Sequence, residues 1–233
     1  MRMKKIFTLI AMALVAAGAQ AQAQLIQFSE AKTKGTAAGT YGDGTFKLTA
    51  VDTNANKLAI DENSAWFGTA GEQMKFSYRL KTGGKSDSNN NLSLAIPGAG
   101  KVLVYVRTGS NTATDRNIVL TQNETELYNQ VVLESSKVLV KGLDSKEPEK
   151  ETNVYPVIEV DVTEGTLAIA YPTNSLNFYG FQFVPTGSEP ITGIQTVKAD
   201  DAATGASYNL AGQKVGESYK GVVIKNGKKV VIK

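Results

Sequence analysis

From Phe28 to Val184 the chain is built of short runs in which apolar and polar residues alternate with a period of two. The runs are rich in Val, Ile, Thr, Leu and aromatics and are separated by Gly, Asn, Ser and Pro clusters. This pattern predicts strands at Gly44 to Ala50, Leu58 to Asp61, Gln73 to Leu80, Asn91 to Ile96, Lys101 to Thr108, Arg116 to Gln122, Gln130 to Lys141, Val154 to Val162, Thr166 to Tyr171 and Asn177 to Val184. No stretch shows helical periodicity, and the close spacing of strands is that of an all-β antiparallel sandwich or jelly roll. In Gln73 to Leu80 the alternation puts Met74, Phe76, Tyr78 and Leu80 on one face and Lys75, Ser77 and Arg79 on the other. In Lys101 to Thr108 both faces are largely apolar, Val102, Val104 and Val106 against Leu103, Tyr105 and Arg107, which predicts a strand in the middle of its sheet.

The two ends of the chain follow other rules. Arg2, Lys4 and Lys5 precede an apolar run from Ile6 to Ala17 that is shorter than the roughly 20 residues of a membrane span, and small residues follow at Ala19, Ala21 and Ala23. Residues 1–23 therefore read as a secretory signal peptide, with the mature chain expected to start at Gln22 or Gln24 and to contain no transmembrane segment. A linker and the start of a terminal unit are expected over 186–206, after a sandwich domain at 24–185. The last unit, 207–233, holds two apolar runs around Asn226-Gly227, a pair that accepts positive φ and so predicts a type I′ β-hairpin.

The leader alters the meaning of the overall charge. The whole chain has 25 basic and 22 acidic residues, but the leader removes three basic ones, leaving 22 against 22. From Gln24 to Ala206 there are 16 basic and 21 acidic residues, and from Ser207 onward six Lys and one Glu, so an acidic body precedes a basic tail. Such a balance disfavours a nucleic-acid partner. The chain has no Cys and no His, which removes Ser-His-Asp and Cys-His nucleophile systems, Cys/His zinc sites and disulfides.

The remaining routes to catalysis are weak. The acidic pairs Asp61-Glu62, Glu124-Glu126 and Glu159-Asp161 read as a turn, a polar connection and the solvent side of a strand, not as the facing carboxylates of a glycosidase. Arg79, Lys81, Arg107 and Arg116 could serve a lyase, yet an acidic body repels acidic polymers. No cofactor is implied; Asp43, Asp52 and Asp61 could meet a structural calcium ion, but no spacing resembles a calcium loop. Binding is better served. A sugar needs an aromatic platform and planar hydrogen-bonding groups, and Trp66, Arg79, Tyr105, Arg107, Asp115 and Arg116 are the candidates, although a single Trp in a sandwich commonly packs in the core. Asp115 and Arg116 also suit a pair that orders their loop.

The segments FKLTA (Phe46 to Ala50), FSYRLKTGG (Phe76 to Gly84), KVLVYVRTGSNTATDRNIVL (Lys101 to Leu120) and LNFYGFQFVP (Leu176 to Pro185) resemble the galactose-binding-like sandwich modules of Bacteroidetes secreted proteins, as found with pectate-lyase-like enzymes. That resemblance implies a carbohydrate-binding-type fold and a polysaccharide partner. In the tail, YNLAGQKV from Tyr208, with Gly212, then Gly221, Asn226, Gly227, Lys228, Lys229 and Lys233, resembles the C-terminal sorting domains read by type IX secretion machinery, in a shortened form. It implies export to the outer cell surface. The expectation is a secreted or surface-exposed, non-catalytic carbohydrate-binding-type protein; the alternative is a structural or adhesin-like accessory surface protein with no glycan ligand.

Overall fold

The computed structural model describes residues 22–53, 56–69, 72–143 and 147–191, together with the backbone of four strands between 207 and 232. The leader through residue 21, the segment 192–206, and Gly212, Asn226, Gly227 and Lys233 of the tail lie outside the described residues. The chain divides into two units at Ile191/Thr192.

The first unit is a two-sheet, mostly antiparallel β-sandwich. Its strands are β1 (Gln24–Gln27), β2 (Gly39–Tyr41), β3 (Lys47–Asp52), β4 (Ala59–Thr69), β5 (Glu72–Lys81), β6 (Asn90–Ile96), β7 (Gly100–Thr108), β8 (Asn117–Gln122), β9 (Thr125–Val131), β10 (Val138–Val140), β11 (Thr152–Tyr155), β12 (Ile158–Val162), β13 (Gly165–Ala170) and β14 (Leu176–Pro185). The large sheet runs β10-β11-β4-β5-β14-β7-β12, with β1 also paired to β14; the small sheet runs β2-β3-β6-β13-β8-β9. The β11–β4 pair is parallel.

The core lies between the sheets. Val102, Val104, Val106, Phe178, Phe181 and Phe183 of the large sheet meet Leu48, Leu92, Leu94, Ile118, Leu120, Leu167 and Ile169 of the small one. As its two apolar faces predict, β7 is an interior strand: Val102, Val104 and Val106 point into this core while Leu103 and Tyr105 join a second apolar cluster. That second cluster is drawn from the large sheet alone, with Ala65, Phe67, Met74, Phe76, Tyr155, Tyr179 and Val184, and therefore covers its outer face.

Four local features depart from the sequence pattern. The strand expected to end at Asp61 continues to Thr69, so Asp61, Glu62 and Asn63 are strand residues and not a turn. A bulge in β4 between Glu62 and Ala65 shifts the register against β5, and β5 changes face opposite it. Leu80 and Tyr78 pack on the inner core, whereas Phe76 and Met74 belong to the outer cluster. Bulges bend strands and re-aim side chains in this way.

The run expected as one strand over Gln130 to Lys141 begins earlier, at Thr125, so Glu126 is a strand residue and not part of a polar connection. It is split by a 3₁₀ turn at Glu134–Ser136, where the Ser136 hydroxyl donates to the Leu133 carbonyl (2.7 Å) and competes with ladder bonding. The run expected over Val154 to Val162 breaks at Pro156, which has no N–H to donate; β11 pairs with β4 and β12 with β7.

A close approach fixes the middle of β14. A Cβ on Gly180 would lie 2.6 Å from the Phe76 ring and 2.8 Å from the Ile26 carbonyl oxygen, at the point where β14 bulges against β7. Only glycine fits there.

The second unit contains β15 (Ser207–Asn209), β16 (Lys214–Val215), β17 (Gly221–Lys225) and β18 (Lys228–Ile232) in the order β16-β15-β17-β18. β17 and β18 pair antiparallel with Lys225 opposite Lys228, while the Asn226-Gly227 turn expected between them lies outside the described residues.

Candidate functional site

The outer face of the large sheet has an aromatic floor. Phe67 packs against Tyr179 at 5.2 Å between ring centroids and Tyr155 at 5.8 Å, and Phe76 against Tyr105 at 4.7 Å. Tyrosine supplies what phenylalanine cannot: a hydroxyl that must find a partner when its ring is buried. Tyr105 donates to Gln182 Oε1 (2.8 Å), Tyr179 to Asn63 Oδ1 (2.6 Å) and Tyr155 to Glu134 Oε1 (2.7 Å). The Tyr179 and Tyr155 bonds lead outward from the floor to a polar rim, whereas the Tyr105 bond ends on Gln182, which is fully buried.

Two carboxylates organise the rim. Asp61 on β4 accepts from Arg79 Nε on β5 at 2.8 Å and from Arg79 NH2 at 3.4 Å, and pairs with Lys81 at 2.8 Å. The Asp61–Arg79 contact is dictated by register, since the two residues are directly opposite in the β4–β5 ladder. Glu134, on the 3₁₀ turn, accepts from Arg107 NH2 at 3.2 and 3.4 Å and from Lys137 at 2.9 Å. The Arg107 guanidinium lies 4.1 Å above the Tyr155 ring, a cation–π contact.

The two halves meet at Tyr179. Arg107 NH1 donates to its hydroxyl oxygen at 3.4 Å, and Arg79 is close enough on the Asp61 side to interact with the same hydroxyl.

Burial and charge compete at both carboxylates. Burial alone would raise the Asp61 carboxyl, but hydrogen bonds and positive charge from Arg79 and Lys81 outweigh it and hold the group below its ordinary value. Glu134 behaves alike: desolvation pushes up, and the Tyr155 hydroxyl, Lys137 and Arg107 together pull it below. Burial pushes the Tyr105, Tyr155 and Tyr179 hydroxyls up, so all three remain protonated donors at neutral pH.

The six binding candidates therefore fall into three places. Arg79, Arg107 and Tyr105 share the outer face, but Tyr105 is only 3% exposed and supports the floor from beneath. Trp66 projects from β4 to the side opposite Phe67 and belongs to neither buried cluster. It is half-buried, with the Lys75 ammonium 5.8 Å from its ring, in a cross-strand row Val138–Val154–Trp66–Lys75 whose outermost member, Val138, is exposed. Asp115 and Arg116 lie at the connection from β7 to β8. Arg116 NH1 donates to the carbonyl and hydroxyl of Ser175, both at 2.8 Å, so Ser175 and not Asp115 is its partner.

Of the residues considered for calcium, Asp52 accepts from the Lys57 and Leu58 amides and closes its loop, and Asp61 is taken by the two cations above. Among the described residues no three acidic side chains gather at one point. Tail residues Tyr208, Gly221, Lys228 and Lys229 lie in strands β15, β17 and β18.

Asn63, Glu134, Tyr155 and Lys137 complete the rim and were not among the sequence candidates; Lys81, considered there only for a lyase, joins them. The one signal pointing to them is the doubly apolar pattern of β7 and β14, which implies that the outer face is covered and that its polar groups sit at the border.

Fold and rim together define an all-β sandwich whose polar chemistry is concentrated on the outer face of one sheet. No protein-family model matches the chain, and no curated protein shows significant similarity to it. Solved structures overlap it in part. One is a chain from work on the complexity of the Ruminococcus flavefaciens cellulosome and its expansion in glycan recognition, at 14% identity and a TM-score of 0.36, over 71% of this chain and 95% of that one. Another is the catalytic domain of a GH87 α-1,3-glucanase in complex with nigerose, at 8% identity and a TM-score of 0.30, over 62% of this chain and 29% of that one. Likeness at this level assigns no ligand and no mechanism to the present chain.

Proposed function

We propose that this is an exported, non-catalytic carbohydrate-binding-type protein whose ligand seats on the outer-face rim. One observation carries the reading: Arg79, Arg107, Asp61 and Asn63 are gathered on adjoining strands over a floor of buried aromatic rings, and the buried Tyr179 hydroxyl ties Asn63 and Arg107 together from beneath. A sugar presents a ring of hydroxyls around apolar C–H patches, and fixed planar donors and acceptors on a rigid sheet meet that requirement. The carboxylates suit binding rather than glycoside cleavage. Asp61 and Glu134 are each neutralised by two cations and held ionised, so neither is poised as a general acid.

The leader-like sequence at 1–23 and the tail's resemblance to sorting domains support delivery through the secretion machinery to the outer surface. A glycan array probed with the mature chain tests binding, with Arg79→Gln expected to abolish the signal and Trp66→Ala to leave it. Deleting residues 207–233 tests sorting and is expected to keep the protein from the cell surface.

A second reading, a structural or adhesin-like surface protein without a glycan ligand, is favoured by the internal pairing of Arg79, Arg107 and Arg116. An array on which the wild-type chain binds nothing would select it.

A further inference from the structure

Resting on the glycan-binding reading, we infer that the rim selects saccharides carrying an anionic group, a carboxylate or a sulfate ester, over their neutral counterparts. The charge count at the rim motivates this. Asp61 pairs with Arg79 and Lys81, and Glu134 with Arg107 and Lys137. Two carboxylates are thus shared among four cations, and among the described residues no other ion pair reaches any of the four, which leaves a local surplus of two positive charges.

The surplus is focused. Lys81 and Arg107 both pair in register with Asn177, on opposite sides of β14, so their backbones lie about 10 Å apart, two strand spacings. Arg79 and Arg107 adjoin the Tyr179 hydroxyl from its two sides. The Nε of Arg107 is buried without a hydrogen-bond partner, so Glu134 does not saturate that guanidinium. All four cationic side chains keep some contact with solvent, from 19% for Arg107 to 38% for Lys81.

An oxyanion meets a guanidinium through charge-assisted, frequently bidentate hydrogen bonds and adds a countercharge, whereas a neutral hydroxyl accepts a single bond and brings no charge to the surplus. The acidic character of the body, 16 basic against 21 acidic residues between Gln24 and Ala206, does not cancel this attraction. Charges farther away than about 8 Å are largely screened at physiological salt, whereas the rim cations act at contact.

The test is a titration of the ¹⁵N-labelled mature chain with D-glucuronic acid, D-glucose 6-sulfate, D-glucose and inorganic sulfate, followed by amide shifts. At least one anionic sugar is expected to bind tenfold or more tightly than glucose. Tighter glucuronic acid identifies a carboxylate ligand, and tighter glucose 6-sulfate a sulfate ester. Arg79→Gln is expected to remove at least tenfold of the anionic sugar's affinity and no more than about threefold of that for glucose, so that the preference between them narrows. Lys81→Gln, at a more exposed position, provides a second variant should Arg79→Gln fail to fold, with an expected loss of about threefold.

Glucose bound at the rim as tightly as both anionic sugars would overturn the inference and leave the glycan-binding reading standing. Inorganic sulfate bound as tightly as the anionic sugars would also overturn it, by showing a patch that takes any anion. Absence of shifts with every sugar, alongside an array that binds nothing, would remove the glycan-binding reading itself.

Discussion

The two faces of the large sheet are built from different chemistry. On the inner face Val102, Val104, Val106, Phe178, Phe181 and Phe183 pack against the small sheet with no polar atom in their side chains. On the outer face the buried rings include Tyr105, Tyr155 and Tyr179; the Tyr155 and Tyr179 hydroxyls bond to residues nearer the surface, and that of Tyr105 to the buried Gln182. One face is a core only. The other couples a core to a charged rim, so a change beneath it can be felt by groups that meet solvent. The comparison teaches where to look for function on a sandwich: at the border of the face whose buried aromatics carry polar heads.

The largest expected effect belongs to the inner face. Phe178 is fully buried and stacks on Phe181 at 5.6 Å, so Phe178→Ala should cost about 3 to 5 kcal/mol in a urea titration. If the comparison holds, this loss comes without any specific change at the rim.

On the outer face, Arg107→Ala strips Glu134 of its guanidinium and Tyr155 of its cation–π partner. A cost of about 2 to 3 kcal/mol is expected, since hydrogen bonds to charged groups contribute more than neutral ones. Tyr179→Phe removes one hydroxyl from the centre of the rim and keeps the ring, and should cost about 1 kcal/mol by thermal denaturation. Trp66→Ala, at a half-buried position outside both clusters, should cost less than either charged-rim or core truncation.

Acid should act on the outer face through Asp61 and Glu134, and also on Asp87 in the β5–β6 connection, whose carboxyl the Asn89 amide and Lys57 hold below its ordinary value. Asp61 and Glu134 have folded pKa values below their ordinary ones, so their contribution is complete above the unfolded-state range near about 4 and is lost as pH falls through the lower folded values. The melting temperature should therefore drop below about pH 4, and Glu134→Gln should flatten part of that drop.

Much of this arrangement was legible in the sequence, and the limits have physical causes. Period-two alternation identified most strands and the interior position of β7, because side-chain direction in a strand is fixed by the backbone. The same rule failed in β5, where a bulge in the neighbouring strand sends Phe76 and Tyr78 to opposite faces. Asp61 to Asn63 look like turn residues locally, yet pairing with β5 holds them extended, and tertiary context overrides weak local preference.

Arg79 and Arg107 were recognisable as polar residues in strong strands. Their partners were not: Glu134 is 27 residues from Arg107, inside a run whose apolar pattern conceals the turn that presents it. Trp66, a binding candidate that equally suited the core, stands partly buried on β4 between β11 and β5 and joins neither apolar cluster.

The most direct test of the central claim is a map of the bound ligand on the mature chain. With D-glucuronic acid added to the ¹⁵N-labelled protein, amide shifts should concentrate at Asp61, Asn63, Arg79, Lys81, Arg107 and Tyr179. Shifts confined to the Val138–Trp66–Lys75 row or to Asp115–Arg116, with the rim unmoved, would contradict the account.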